Sequence, residues 1–279
     1  MKLIAPTVPF LAATEGREAK AIIIGAPLDL TESFRAGTAA APSRVRAVSD
    51  VLETYSPLAG RDLSDLPLAD WGDLSLFGSM EASLAAIGEG VARARSVGLP
   101  LMIGGEHTAT VGAVRALRLL YPELYVLQMD AHLDLRDDYD GVPLSHATVM
   151  RRIGDEVGLE RIVQVGVRSG TREEFALARH CLASRSDLQL SKELRSVIGD
   201  HPVYLTIDID VMDPSAAPGT GCPEPGGPAF AEVLAFVHSL RGMNVVAVDV
   251  VEVLPAADVN DITSIAAAKL VRDAALLFA

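Results

Sequence analysis

The residues best suited to chemistry lie in two short clusters, Asp130-Ala131-His132-Leu133-Asp134 and Asp208-Ile209-Asp210. Each follows an apolar, β-rich run, Leu124–Met129 and Val203–Ile207. Side chains alternate faces along a strand, so residues two apart point the same way. On that geometry Asp130, His132 and Asp134 converge on one side, and Asp208 and Asp210 do likewise. Four carboxylates aimed at one spot repel one another unless a cation sits between them. The pattern predicts a metal site, with two metals, at the mouth of an α/β sheet. Asp-x-His-x-Asp alone has a plainer reading, a solvated strand end. The second acidic pair and His107, which follows Gly104-Gly105-Glu106, argue against it. Imidazole and carboxylate ligands without thiolate suit Mn²⁺, with Fe²⁺, Co²⁺ or Zn²⁺ as other fits. His107, His132 and the four aspartates would overfill one tetrahedral zinc site, so two ions fit better than one.

Two further residues are candidates for catalysis. His146, in Ser145-His146-Ala147-Thr148, follows the first cluster closely and suits a proton shuttle. Glu252 ends an apolar run and suits a clamp for a planar cation, because carboxylate and guanidinium match as a bidentate fork. The plainer readings are a helix-start histidine and a satisfied buried carboxylate. Gly104-Gly105 lacks the spacing of a dinucleotide fingerprint. Its expected job is a tight turn that lets the backbone approach the site and aims His107 inward, with Thr108 as a helix N-cap. His180, His201 and His238 have no metal-like neighbours in sequence and are expected at the surface.

The elements that must position these groups alternate. Strand-like runs lie at Ala21–Gly25, Leu68–Trp71, Leu99–Ile103, Leu124–Met129, Ile162–Val167, Asp187–Leu190, Val203–Ile209 and Val245–Val250. Most are continuously apolar, as in strands buried on both faces. Helical patterns fall between them, at Pro42–Tyr55, Ser79–Val97, Thr108–Leu120, Ala147–Val157, Arg172–His180, Ala229–Leu240 and Asp261–Phe278. The alternation predicts a three-layer α/β/α sandwich around a mostly parallel sheet of about eight strands. Ligands in such folds sit beyond the carboxyl ends of the strands, which is where the candidate residues fall.

Composition narrows the function further. The chain has 279 residues and is 49% hydrophobic, enough for one large domain, and no linker or composition shift divides residues 1–279. Its 24 Lys and Arg against 37 Asp and Glu give a net charge of −13. That balance argues against nucleic acid and anionic membrane partners and mildly favours a cationic substrate. Two cysteines, Cys181 and Cys222, give no disulfide framework and point to a reducing cytoplasm. No signal-peptide core and no membrane-spanning run is expected.

Taken as a set, the motifs resemble the ureohydrolase family, which holds arginase and agmatinase. They are Gly-Gly-Glu-His at 104–107, Asp-Ala-His-Leu-Asp at 130–134, Ser-His-Ala-Thr at 145–148, Thr-Ile-Asp-Ile-Asp-Val-Met-Asp-Pro at 206–214, Ala-Pro-Gly-Thr-Gly at 217–221 and Asp-Val-Val-Glu-Val at 249–253. The resemblance implies a binuclear Mn²⁺ centre and hydrolysis of a guanidino group to urea and an amine. It also implies a homo-oligomer, trimeric or hexameric. By the family pattern, His107, Asp130, Asp134 and Asp208 hold one Mn²⁺, and Asp130, His132, Asp208 and Asp210 hold the other. Glu252 then orients the guanidinium, and His146 relays a proton. Glu106 stands where many members carry Asp.

The loop after the first cluster lacks the Asn residues by which arginases hold an α-carboxylate. Arg136 suits a carboxylate, but Asp137, Asp138 and Asp140 crowd the same loop and suit a distal ammonium. The plainer reading of those aspartates is a solvated acidic loop. With the Ser-His-Ala-Thr-Val-Met-Arg-Arg stretch, they favour agmatine, hydrolysed to putrescine and urea. N1-aminopropylagmatine, guanidinobutyrate and arginine remain as other substrates. A two-metal phosphoesterase would need cationic phosphate clamps, which this acidic loop opposes. A deacetylase-like amidohydrolase would carry a tandem His pair, which is absent. A catalytically silent metal-binding scaffold would be expected to lack a ligand.

Overall fold

The computed structural model describes residues 2–14 and 18–279. Its strands are β1 (Leu3–Ile4), β2 (Ala21–Ala26), β3 (Tyr55–Ser56), β4 (Arg61–Asp62), β5 (Leu68–Leu74), β6 (Leu99–Gly104), β7 (Tyr125–Met129), β8 (Ile162–Val165), β9 (Ala183–Arg185), β10 (Val203–Asp208) and β11 (Val245–Val251). The helices are α1 (Ala41–Ser49), α2 (Met80–Arg95), α3 (Ala109–Leu120), α4 (Val149–Val157), α5 (Arg172–Leu177), α6 (Lys192–Ile198), α7 (Phe230–Ser239) and α8 (Ile262–Phe278). Nine strands form one sheet in the order β1-β5-β2-β6-β11-β10-β7-β8-β9, and β3 and β4 form a separate small ladder. Every pairing in the large sheet is parallel except that of β1 on β5.

The inner strands of the large sheet are buried on both faces, and alternation divides their side chains between two cores. In β2, Ala21 and Ile23 face one cluster while Ile22, Ile24 and Ala26 face the other. Helices α1, α7 and α8 cover the first face, and α2, α3 and α4 cover the second. Such double coverage is what continuous apolar strands require.

Two expectations need correction, and one helix is added. The strand expected at Asp187–Leu190 lies earlier, at Ala183–Arg185, and Asp187 instead pairs with Arg185 at 2.7 Å. Helix α6 adds an element that the sequence pattern did not name; Ser191 caps it by accepting from Leu194 N. His238 is not a surface residue: its Nε2 lies 2.8 Å from Asp273 Oδ1, inside the interface of α7 and α8.

The sheet order positions the site. β10 and β11 lie far along the chain from β6 and β7, yet they insert between them at the centre of the sheet. Their carboxyl ends lead into His107, Glu252, Asp208 and Asp130. Gly105 makes the first of these turns possible, because a Cβ there would lie 1.9 Å from the Leu28 carbonyl oxygen. At the other end of the sheet, buried Arg46 donates from Nε and Nη2 to Asp70 at 2.8 and 3.0 Å, tying α1 to β5.

Candidate metal centre

The two acidic clusters converge, but not by strand alternation. β7 stops at Met129, and Asp130–Asp134 is a turn beyond it. His132 N donates to Asp130 Oδ1 at 2.6 Å, and Leu133 N donates to Ser169 O at 3.2 Å. Asp134 takes a left-handed backbone with φ of 54°, a conformation that Asp tolerates better than most residues. Asp208 is the last residue of β10, and Asp210 lies in the short 3-10 turn Ile209–Val211. The Asp208 side chain caps that turn by accepting from Asp210 N at 2.8 Å.

Asp130 stands between two imidazoles. Its Oδ2 lies 3.2 Å from His107 Nδ1, and its Oδ1 lies 3.6 Å from His132 Nδ1. Around His107 Nδ1 are also Asp134 Oδ2 at 3.1 Å and Asp208 Oδ2 at 3.4 Å. Around His132 Nδ1 is Asp210 Oδ2 at 2.8 Å. Ligand-type atoms therefore gather in two groups that share Asp130: His107, Asp130 and Asp134, and Asp130, His132 and Asp210. Asp208 meets the His107 group.

These residues fit divalent cations. His107 Nδ1 is buried and makes no aligned hydrogen bond, although three carboxylate oxygens surround it. A single proton there could serve only one of them, whereas a cation serves all. His107 Nε2 is 2.9 Å from Thr206 Oγ1, which leaves Nδ1 as the free donor atom. The carboxyls show the strain of crowding. Burial, then the charge of Asp130, pushes Asp134 up to about 7. Burial, then Asp210 and Asp130, holds Asp208 well above the usual carboxylate range. Burial also opposes ionisation of Asp130, but hydrogen bonds to His107 and His132 outweigh it and bring Asp130 below its ordinary value.

Glu252 follows β11 with φ of 65°. Its Oε1 accepts from His107 N at 2.6 Å, so the clamp candidate is locked to the metal-ligand loop. Beside it is Glu32, a residue that sequence reasoning missed. The two carboxyls are within hydrogen-bonding reach, and burial pushes Glu32 up to about 7. The available signal was position: Glu32 lies in the loop after the carboxyl end of β2.

That loop also reaches His146. The buried Glu106 carboxylate accepts from Leu30 N at 2.5 Å, Thr31 N at 2.7 Å and Thr31 Oγ1 at 2.8 Å. Thr31 Oγ1 accepts from His146 N at 3.0 Å, and Ser33 Oγ lies 3.1 Å from His146 Nε2. Burial lowers the pKa of His146, favouring the neutral ring that a proton relay needs. Thr108 stands at the start of α3, but its side chain makes no capping hydrogen bond.

A cavity of about 290 Å³ opens onto the cluster, bounded by His146, Glu252, Cys222, Arg136, Tyr139 and Glu174 among others. The acidic loop does not reach it. Asp137 is 77% exposed at its side chain and pairs with Arg152 at 2.7 Å. Asp138 accepts from Gly141 N, and Asp140 sits with φ of 51° at a turn. A tight Tyr139–Val142 turn carries all three aspartates outward while leaving Arg136 and Tyr139 on the cavity wall. Arg136 Nε is 3.5 Å from Glu174 Oε2, and its guanidinium lies 5.1 Å from the Tyr139 ring centroid.

Comparisons with known proteins agree with this architecture. A model of the arginase family matches residues 19–277. An agmatinase of Bacillus subtilis is 42% identical over 271 residues, covering 95% of this chain and 93% of that protein. An N(1)-aminopropylagmatine ureohydrolase of Thermococcus kodakarensis is 37% identical, covering 92% of this chain and 90% of its own. The crystal structure of the agmatine ureohydrolase of Thermoplasma volcanium superposes with a TM-score of 0.86 at 34% identity, covering 99% of this chain and 95% of that one.

Proposed function

The chain belongs to the arginase family, and from that premise we propose that it is a two-metal ureohydrolase that cleaves agmatine to putrescine and urea. The observation that carries this reading is the Asp130 carboxylate, divided between two imidazole-bearing groups directly below a cavity that Glu252 bounds. Mn²⁺ suits the donor set, which has oxygen and imidazole ligands and no thiolate. His107, Asp130, Asp134 and Asp208 would hold one ion, and Asp130, His132, Asp208 and Asp210 the other.

Two divalent ions held there would supply Lewis acidity and lower the pKa of water, making hydroxide available as a nucleophile near neutral pH. The chain's own residues do the rest. Glu252 presents a carboxylate to the planar guanidinium and fixes its carbon over the cluster. Asp134, at the edge of the His107 group, accepts a hydrogen bond from the attacking water and orients it. His146 Nε2, beside Ser33 Oγ, takes a proton released by the attacking water and passes it to the departing amine nitrogen. The C–O bond forms first, and the C–N bond to that nitrogen then breaks, releasing the amine and leaving urea.

On the cavity wall, Glu174 suits the ammonium of agmatine. Arg136 beside it supports a second reading, a guanidino acid such as guanidinobutyrate, whose carboxylate would take the guanidinium. We further take the chain as one catalytic domain that acts as a homo-oligomer, trimeric or hexameric, in the cytoplasm. Its two cysteines are both free, as a reducing compartment requires. Among the described residues, no helix is long and apolar enough to cross a membrane.

A urea assay with added Mn²⁺ across agmatine, N1-aminopropylagmatine, guanidinobutyrate and arginine tests the reading. Preference for agmatine supports it, and preference for guanidinobutyrate selects the Arg136 reading. Bound metal with no urea from any substrate would mark a silent scaffold.

A further inference from the structure

A buried acid stands behind His107 on the side away from the carboxylate cluster. Asp249 is fully buried near the end of β11. Tyr204 OH donates to its Oδ2 at 2.6 Å, and Thr110 Oγ1 donates to the same oxygen at 2.8 Å. Its Oδ1 is buried without an aligned donor. Among the described residues, no cationic side chain forms an ion pair with it within 4 Å. A buried carboxylate so placed stays ionised only where further donors or a positive charge answer it.

The route to that charge is Thr206. β10 and β11 are paired so that Thr206 and Asp249 are register partners. Thr206 Oγ1 lies 2.9 Å from His107 Nε2, and its hydroxyl is also within hydrogen-bonding reach of Asp249. Proton counting orders the chain. With His107 Nδ1 facing the cluster as a ligand atom, Nε2 must carry the hydrogen and donate it to Thr206 Oγ1. The single Thr206 hydroxyl hydrogen is then free to turn to Asp249. A carboxylate at the end of such a chain fixes the imidazole tautomer and strengthens the other ring nitrogen as a donor.

We propose that Asp249 is a positioning residue for the metal pair, acting through Thr206 on His107 and so setting the affinity of the His107 site and not that of the His132 site. The proposal rests on the reading of His107 as a metal ligand. It does not depend on which guanidino compound is the substrate. His132 differs: its Nδ1 faces Asp210, and among the described residues no side chain hydrogen-bonds its Nε2 as Thr206 does that of His107.

Mn²⁺ titration of the full chain, followed by calorimetry and by the signal of free Mn²⁺, tests it. The unmodified chain should take up two ions. Thr206→Val and Asp249→Asn should each weaken one of the two by about 10–100-fold and leave the other unchanged. Thr206→Ser, which keeps the hydroxyl, should restore the affinity. Tyr204→Phe removes a donor from Asp249 without touching Thr206, so it should lower thermal stability and leave both ions in place. Equal weakening of both ions in Thr206→Val, or unchanged uptake in a folded Thr206→Val, overturns the proposal. An unmodified chain that takes up no Mn²⁺ overturns it together with the metal reading. Two bound ions with no urea from agmatine would sink the reaction while leaving this relay to stand on the titration.

Discussion

Thr31 and His146 are joined by a hydrogen bond of 3.0 Å from the His146 backbone N–H to the Thr31 hydroxyl, and that hydroxyl in turn donates to Glu106 at 2.8 Å. The residue next to the metal-ligand candidate His107 thus holds, at one remove, the proposed proton relay. His146→Ala should keep metal but slow turnover by roughly 10²–10⁴-fold, the usual loss of acid–base help. Thr31→Val should cost less, about tenfold, as expected for one hydrogen bond. Steady-state kinetics with parallel metal analysis checks both. Loss of metal in His146→Ala would mean that the histidine is a ligand and not a relay.

Asp130 has an oxygen toward each imidazole, so it is the hardest carboxylate to replace. Asp130→Asn should lower Mn²⁺ content at both positions and abolish turnover, because one substitution removes charge from two sites. Asp210→Asn touches only the His132 group and should lose one ion first. Metal content after dialysis separates the two outcomes. Retention of both ions by Asp130→Asn would refute the shared-ligand reading.

Metal uptake should depend on pH. Without a cation, Asp134 titrates near 7 because burial and the charge of Asp130 oppose its ionisation. Below that value the carboxyl holds a proton that competes with the cation; above it the carboxylate is free. Mn²⁺ affinity should therefore rise as pH increases through 7, with protons released on binding, and fall as pH decreases. Calorimetry in buffers of different ionisation enthalpy measures the released protons. Affinity that is flat across this range would contradict the assignment.

The sequence was most legible where one residue type admits few uses. Aspartate and histidine clustered after apolar runs marked the cluster, and the sheet order brought their strands together as the α/β pattern required. The route was different from alternation, because a left-handed residue at Asp134 has no composition signature. The acidic loop misled for the opposite reason. Asp137, Asp138 and Asp140 carry the right charge, but the Tyr139–Val142 turn points them to solvent. Glu32 carried only its position after β2 as a signal, because its partner, Glu252, lies just past the end of β11, distant in sequence. β9 is a three-residue edge strand, too short for periodicity to register against the Asp187–Leu190 run beside it.

Stability and function should separate at Asp70. The Arg46 and Asp70 side chains are both about 1% exposed and joined by two hydrogen bonds, far from the candidate metal centre in the sheet. Asp70→Ala leaves a buried guanidinium partly uncompensated, since only Asp73 then remains beside it. Removing one partner of such a pair typically costs about 3–5 kcal/mol. Denaturant unfolding should show that loss, while the surviving folded fraction binds Mn²⁺ normally. A stable Asp70→Ala with impaired metal uptake would reverse the assignment.

The most direct measurement is anomalous diffraction at the manganese edge from crystals grown with Mn²⁺. Two peaks per chain should appear, one touching His107, Asp130, Asp134 and Asp208, the other touching Asp130, His132, Asp208 and Asp210. Absence of any peak between these side chains, or a single ion that leaves His132 unligated, would contradict a two-metal hydrolase.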